Sequence, residues 1–280
     1  MLTYWSQGQR KQNFGDTLTV PLSTLFEPEF QTFMRETPEC RFHLLGSVLC
    51  QFWIDEARRT DQSAVFWGCG YRGEAFVFDE SKVRICGVRG RLTEQALHGK
   101  YPTIGDPGLL LPLIYPAESI PRHGRAILVP HFLDPWLHDA PTTSASSEVE
   151  IVSPVITEAA GVRALTQQIA GASFVWAGSL HAAIAALSYG VPFAFFKSGP
   201  EGFVDCPIKW ADFCSAHGIQ PVFFNGLAAA RRWYDSIENE IRYASLATML
   251  AHAPGPVRPA IIDQAAKYDR QKRARGDWLL

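Results

Sequence analysis

The 280-residue chain is 47% hydrophobic and 19% charged, a balance that supports a buried core and excludes disorder over most of its length. A formal net charge of -2 and a pI near 6.4 give no global attraction to nucleic acid, so any anion site must be local. The length accommodates two ordinary domains.

From the start, Met1-Leu2-Thr3-Tyr4-Trp5 shows no basic region followed by an apolar run, so a secretory signal is not expected. The pattern then predicts a helix over Thr17–Phe26, a strand at Phe42–Leu45, a helix over Val48–Ile54 and strands at Ala64–Trp67 and Val83–Val88. A helix over Arg91–Leu97 and a strand at Pro102–Ile104 follow. Beyond Pro121-Arg122-His123-Gly124, the strand Ala126–Val129 opens a second series. The polar stretch Pro135–Glu148 reads as a surface loop. After it come a strand at Val149–Val152, a helix over Glu158–Ala170, a strand at Ser173–Val175, a helix over Ser179–Tyr189 and a strand at Phe193–Phe196. The remainder is mainly helical: Asn225 can cap a helix carrying Trp233, Ile237 and Ile241, and a last helix covers Pro259–Arg273. This alternation predicts an α/β fold of two Rossmann-like domains, residues 1–122 and 123–280, with ligands in the cleft at the carboxyl ends of the strands.

The longest apolar runs, near Ala182–Leu187 and Val191–Phe196, are broken by Ser188, Gly190 and Pro192 and fall short of the roughly 20 residues that a membrane span needs. The six cysteines form no C-x-x-C pair and no cluster with histidine, so reduced core residues and a cytoplasmic location are expected. Neither a metal nor a cofactor is called for by any ligand cluster.

Three loop segments carry chemistry. Asn13-Phe14-Gly15-Asp16 precedes a helical pattern; Asp16 is a natural N-cap, and Gly15 permits close approach of a ligand, so this segment is either a helix cap or a binding turn. In Gly87-Val88-Arg89-Gly90-Arg91, Arg89 stands at the carboxyl end of a strand, flanked by glycines. It either binds a phosphate or carboxylate with two parallel hydrogen bonds or closes a salt bridge across the sheet end. Nearby, Gly105-Asp106-Pro107-Gly108 is a tight turn whose aspartate orders the loop. In Ala177-Gly178-Ser179-Leu180-His181, a strand turns into a helix that is apolar on every face. Its first amides suit an anion, Ser179 can cap it, and His181 stands beside whatever binds there, unless it is simply a core histidine. A P-loop, a complete G-x-G-x-x-G and a G-x-S-x-G elbow are all missing; Gly68-Cys69-Gly70 lacks the third glycine.

Asn13-Phe14-Gly15-Asp16, Gly46-Ser47-Val48-Leu49, Trp67-Gly68-Cys69-Gly70, Val88-Arg89-Gly90, Gly105-Asp106-Pro107-Gly108, Val129-Pro130-His131-Phe132 and Ser179-Leu180-His181 occur in one order along residues 13 to 213. Together they resemble the polysaccharide pyruvyl transferase family, and within it the xanthan-type branch. The resemblance implies a two-domain architecture similar to GT-B glycosyltransferases and phosphoenolpyruvate as co-substrate, with no cofactor. It also implies transfer of pyruvate as a ketal onto two hydroxyls of a hexose in a lipid-linked oligosaccharide. Many family members carry arginine where this chain has Ser179, and the xanthan-type branch is similar in carrying serine. On this reading His181 is the acid that protonates the donor methylene and Asp16 accepts a proton from the sugar hydroxyl. Arg89, Ser179, Leu180 and Lys209 hold the donor, and Asn13, Gly15 and His131 are substrate contacts. Trp67, Trp136, Trp176 and Trp210 either stack on sugars or belong to the core. The basic residues Lys267, Arg270, Lys272, Arg273 and Arg275 either touch an anionic membrane face or form a solvated helix surface. The alternatives are a glycosyltransferase using a nucleotide-sugar and a non-catalytic glycan-binding assembly protein.

Overall fold

Helices and parallel strands alternate along the chain in the computed structural model, which describes residues 1–134, 148–198 and 202–277. The N-terminal part contains β1 (Gln12–Asn13), α1 (Phe14–Thr17), α2 (Thr19–Ser23), α3 (Pro28–Glu36), β2 (Cys40–His43), α4 (Gln51–Arg59), β3 (Ser63–Phe66), β4 (Val83–Ile85), α5 (Arg91–Ala96) and α6 (Leu111–Ile114). Strands β2, β3 and β4 form a parallel sheet in that order, with His43 opposite Phe66 and Phe66 opposite Ile85.

Beyond residue 125 come β5 (Ala126–Val129), β6 (Val149–Ile151), β7 (Val155–Ile156), α7 (Ala159–Gly171), β8 (Phe174–Ala177), α8 (Leu180–Ser188), β9 (Phe193–Phe196), α9 (Pro207–His217), β10 (Phe223–Phe224), α10 (Leu227–Ile237), α11 (Leu246–Ala251) and α12 (Pro259–Ala274). A second parallel sheet has the order β10-β9-β8-β5-β6. Every residue of β5, β8 and β9 is buried, as expected of parallel strands covered on both faces. Helix α8 is buried on all sides, which explains its lack of amphipathic pattern. The fold is therefore α/β with two parallel sheets.

Strand β1 pairs antiparallel with β7, placing Asn13 opposite Val155, and the Phe14 amide donates to the Pro154 carbonyl at 2.9 Å. The N-terminal segment is thus stitched to the five-stranded side. One apolar core continues from Phe14, Leu22 and Trp67 to Val175 and Phe195, and a smaller one gathers Trp53, Phe66 and Val83. Five of the six free cysteines are buried and Cys206 is partly buried. Trp67 and Trp210 are fully buried and Trp176 nearly so, which makes them core rather than sugar platforms. Trp136 and most of the loop at 135–148 lie outside the described residues.

Several boundaries differ from the pattern-based reading. The strand at Val83 stops at Ile85 because Gly87 takes a positive φ of 81°; Val88 keeps only single bridges to Cys69 and Thr103. The Val88–Thr103 bridge is what remains of the strand expected at Pro102–Ile104. The helix expected from Val48 begins at Gln51, since Leu49 is still extended and bridges Tyr71. Gly226 rather than Asn225 stands at the N-cap of α10, and Ile241 lies buried beyond its end. Helix α9 was hidden by its mixed composition, but Pro207 at its first turn and Gly218 in the left-handed region after its end are ordinary boundary signals.

One link between the two sheets is ionic. Arg89, just past β4, donates from Nε to Asp212 Oδ2 of α9 at 2.9 Å and from Nη1 to Ser47 Oγ at 2.8 Å. Both side chains of the ion pair are fully buried. Asp212 also accepts from the Thr93 amide at 2.8 Å, capping the start of α5. Gly70 leaves room for the guanidinium and Gly90 for the Asp212 backbone; a methyl group at either position would overlap them. Asp212→Ala strands a buried guanidinium and should lower the unfolding free energy by about 3–5 kcal/mol. The pair Arg89→Met with Asp212→Leu should recover most of that loss in urea unfolding. An equal loss in both variants would show that the unpaired charge is not the cause.

Candidate active site

A cleft of about 280 Å³ opens at the carboxyl ends of strands from both sheets. Gly46 and Ser47 reach it from beyond β2, Arg72 from beyond β3, His131 from beyond β5, and Ser179, Leu180 and His181 from beyond β8. Ser6, Asn13 and Asp16 line the wall formed by the N-terminal segment, while Asp205 and Lys209 come from the start of α9. Ligands of α/β sheets bind at this edge, where the chain leaves one strand before reaching the next.

The sequence-derived residues converge here with two exceptions. Asn13, Asp16, His131, Ser179, Leu180, His181 and Lys209 all line the cleft. Arg89 lies behind it, wholly buried and committed to Asp212 and Ser47, so its side chain adopts the salt-bridge alternative. Its hydrogen bond to Ser47 connects it to the cleft lining. Gly15 lies beneath His181, and any side chain there would overlap the ring at Nδ1.

Local sequence explains each placement. The Asn13 side chain, rather than that of Asp16, caps α1 by accepting from the Gly15 amide at 3.4 Å, which leaves Asp16 in the first turn facing the cleft. Ser179 occupies the N-cap position of α8, but its hydroxyl makes no capping bond, and its amide is donated to the Val129 carbonyl at 3.2 Å. The amides of Leu180 and His181 are then the first donors of α8 without an intrahelical acceptor. Cys206, in the left-handed region at φ 46°, turns the chain so that Asp205 and Lys209 share one side of the helix start.

The electrostatics are set by burial. Lys209 is paired with Asp205 and sits at the inner wall; burial lowers its pKa while Asp205 raises it. Burial pushes the Asp205 carboxyl up, but Lys209, His131 and Arg72 together hold it below the usual carboxylate range. Nδ1 of His131 accepts from the Leu133 amide at 3.2 Å, which leaves the proton on Nε2, 3.6 Å from Asp205. Burial and then Lys209 bring the His131 pKa down to about 4. His181 is lowered to about 3 by burial, with Arg89 and Lys209 adding to the effect. Asp16 moves the other way, raised to about 6 by burial against hydrogen bonds from Ser6 and Asn13. The cleft therefore holds a neutral imidazole at His181 and, at Asp16, a carboxyl group of unusually high proton affinity.

Sequence reasoning missed Arg72, Asp205 and the part played by Asp106. Arg72 lies in Gly70-Tyr71-Arg72-Gly73, the same G-x-R-G pattern as Gly87-Val88-Arg89-Gly90, each following a strand of one sheet. That repetition was a usable signal. The guanidinium of Arg72 lies 5.6 Å from the Trp5 ring centroid and reaches the cleft. Asp106 is fully buried; its Oδ1 accepts from the Gly108 amide at 2.9 Å, and its Oδ2 lies 3.7 Å from His181 Nε2.

Residues 64–200 match the family model described as polysaccharide pyruvyl transferase. The chain belongs to the polysaccharide pyruvyl transferase family. It is accordingly a transferase enzyme, with a polysaccharide as its acceptor class. The match runs from β3 past β9 and contains Arg72, Arg89, Asp106, His131 and Ser179–His181, whereas Asp16 and Lys209 lie outside it. No curated protein matches the chain.

Because folding raises the Asp16 pKa, the folded state binds protons that the unfolded chain releases, so stability declines as pH rises from about 4 through about 6. Asp16→Asn should remove that slope and stabilise the protein at pH 8 by on the order of 1 kcal/mol while activity falls at least about 100-fold. Thermal unfolding at pH 4 and pH 8 checks the first part and turnover the second.

Proposed function

We propose that the protein transfers pyruvate from phosphoenolpyruvate, as a ketal, onto two hydroxyls of a hexose in a lipid-linked exopolysaccharide repeat unit, releasing phosphate. The observation that carries this is the convergence, in one small cleft, of two cations, a helix start, a histidine and a carboxyl group of raised pKa. Lys209, Arg72 and the amides of Leu180 and His181 bind the donor's phosphate and carboxylate. Arg89 supports this wall through Ser47. The cleft volume of about 280 Å³ falls just below the roughly 300–1,000 Å³ usual for small-molecule sites, which favours a three-carbon donor over a nucleotide-sugar. Two Rossmann-like domains, residues 1–122 and 123–280, face each other across it in a GT-B-like arrangement, with the donor on the C-terminal side. Ser179 is the feature shared with the xanthan-type branch.

The donor is inert until its methylene carbon is protonated. Its negative charge offsets the field of Arg89 and Lys209, so His181 takes up a proton on donor binding and delivers it to that carbon. C2 becomes electrophilic, and a sugar hydroxyl attacks it while Asp16 accepts the hydroxyl proton. The second hydroxyl then displaces phosphate at C2, and the proton held by Asp16 leaves with the phosphate. The first hydroxyl's proton leaves on phosphate, and the second hydroxyl's proton passes to solvent, replacing the one that His181 took up and gave to the methyl group, so the balance closes.

Phosphate release from phosphoenolpyruvate in the presence of a lipid-linked oligosaccharide tests this reading directly. His181→Ala should lower kcat at least about 100-fold. Arg72→Ala should raise the donor KM about ten-fold or more, as loss of a charged hydrogen bond requires. Binding of a nucleotide-sugar with none of phosphoenolpyruvate would overturn it.

No helix among the described residues is long and apolar enough to cross a membrane. Contact with the acceptor's lipid surface is assigned to α12, where Lys267, Arg270 and Arg273 are exposed, while Lys272 is turned back onto Asp277 and the Tyr243 ring. Replacing Lys267, Arg270 and Arg273 by Gln should abolish flotation with vesicles containing an anionic phospholipid at low salt; unchanged flotation removes the assignment.

A further inference from the structure

His181 Nε2 and Asp106 Oδ2 are both buried, face each other at 3.7 Å, and have no other hydrogen-bond partner. Two complementary polar atoms left unpaired side by side are costly unless some state of the protein joins them. The remaining edge of the ring explains which state. His181 Nδ1 lies over Gly15, in the turn that carries Asp16 into the cleft. A ring that donates from Nε2 to Asp106 leaves Nδ1 free to gain and lose a proton on the cleft side.

From this geometry we infer that Asp106 is the positioning residue for His181: it holds the Nε2–H tautomer and supplies the counter-charge when the imidazolium forms. This rests on the reading of His181 as the acid of pyruvyl transfer. Asp106 is itself fixed, since Oδ1 is taken by the Gly108 amide. A side chain larger than hydrogen at Gly108 would press on Asp106 Oδ1 and Ile184. The carboxyl approaches His181 from the turn before the 3₁₀ segment Pro107–Leu110, opposite the cleft. The other charged groups around the ring are Arg89 behind it, Lys209 from α9 and Asp16 beyond Gly15; Arg89 and Asp212 also act on Asp106. Burial raises the Asp106 pKa to about 6, with Arg89 opposing, so the group is mainly ionised at neutral pH. An imidazolium formed on donor binding then meets a carboxylate at hydrogen-bonding range after a small ring movement.

In the reaction the proton transferred is the one on Nδ1. It passes to the donor methylene carbon, the C–H bond forms as the N–H bond breaks, and the neutral ring that remains keeps its Nε2–H. The ring is reloaded from solvent when the next donor binds.

Two measurements test the inference. The first uses the wild-type protein without substrate: ¹⁵N-resolved imidazole spectra of His181 should show the neutral Nε2–H tautomer at pH 7, and saturation with phosphoenolpyruvate should protonate Nδ1. A neutral Nδ1–H tautomer overturns the inference whatever the reaction proves to be. The second uses Asp106→Asn and Asp106→Ser, both of which keep an acceptor for the Gly108 amide. The protonated imidazole is the active form, so kcat falls as pH rises through its pKa in the complex. Removing an opposing charge within 4–6 Å should move that alkaline limb down by about 1–3 pH units, with the donor KM little changed. A limb that stays in place in a folded variant overturns the inference, whereas absence of pyruvyl transfer in the wild type would sink the proposed reaction and leave the tautomer measurement standing.

Discussion

Placing a guanidinium and a carboxylate together in a water-free junction between two sheets costs both groups their hydration, and only good mutual geometry offsets it. Arg89 and Asp212 meet most of that condition, with Nε, Nη1 and both carboxylate oxygens paired and Nη2 left without a partner, and much of the site depends on them. Asp212 belongs to the same helix as Lys209, so anchoring α9 to the end of β4 also sets the inner wall of the cleft. The same carboxylate caps α5 through the Thr93 amide, and the same guanidinium holds Ser47 at the cleft edge. One buried pair therefore aligns an element from each sheet, along with the cations that will face an anion.

The pair also shapes the chemistry at a distance. Arg89 is close enough to His181 to disfavour its protonated form and close enough to Asp106 to favour its ionised form. Burial, with the positive field of Arg89 and Lys209 adding to it, keeps the histidine neutral. An anionic donor reverses the local sign. Proton affinity at His181 is thereby linked to occupancy, which limits formation of the acid to the state in which there is something to protonate.

The scaffold was legible wherever hydrophobic runs met clear punctuation. Ala126–Val129 and Phe193–Phe196 coincide with observed strands, and the end of α8 falls where Gly190 and Pro192 required. Short elements were not legible: α3 and α11 carry start signals in Pro28 and Ser245 but too few turns to stand out as a pattern, and β1 and β7 have meaning only as partners. The site was readable in part because loop residues such as Asn13, Asp16 and His181 sit beside glycines at strand ends. What spacing could not tell was direction. Two G-x-R-G segments follow consecutive strands of one sheet, yet Arg72 turns outward toward Trp5 and Arg89 inward toward Asp212. A carboxylate more than a hundred residues away decides between them, and no local pattern contains it.

Gly15 shows why such sites resist reading from single motifs. Taken alone, it is a turn residue in front of a helix, and its backbone takes no special conformation. Its importance comes from His181, whose ring occupies the space a side chain would need. Because the ring packs on bare backbone, one edge can reach the cleft while the other stays buried against Asp106. The stitching of β1 to β7 and the Phe14–Pro154 hydrogen bond then keep that backbone at its distance from α8. A glycine, a two-residue strand pair and a buried aspartate from three separate stretches of chain thus fix the orientation of one imidazole.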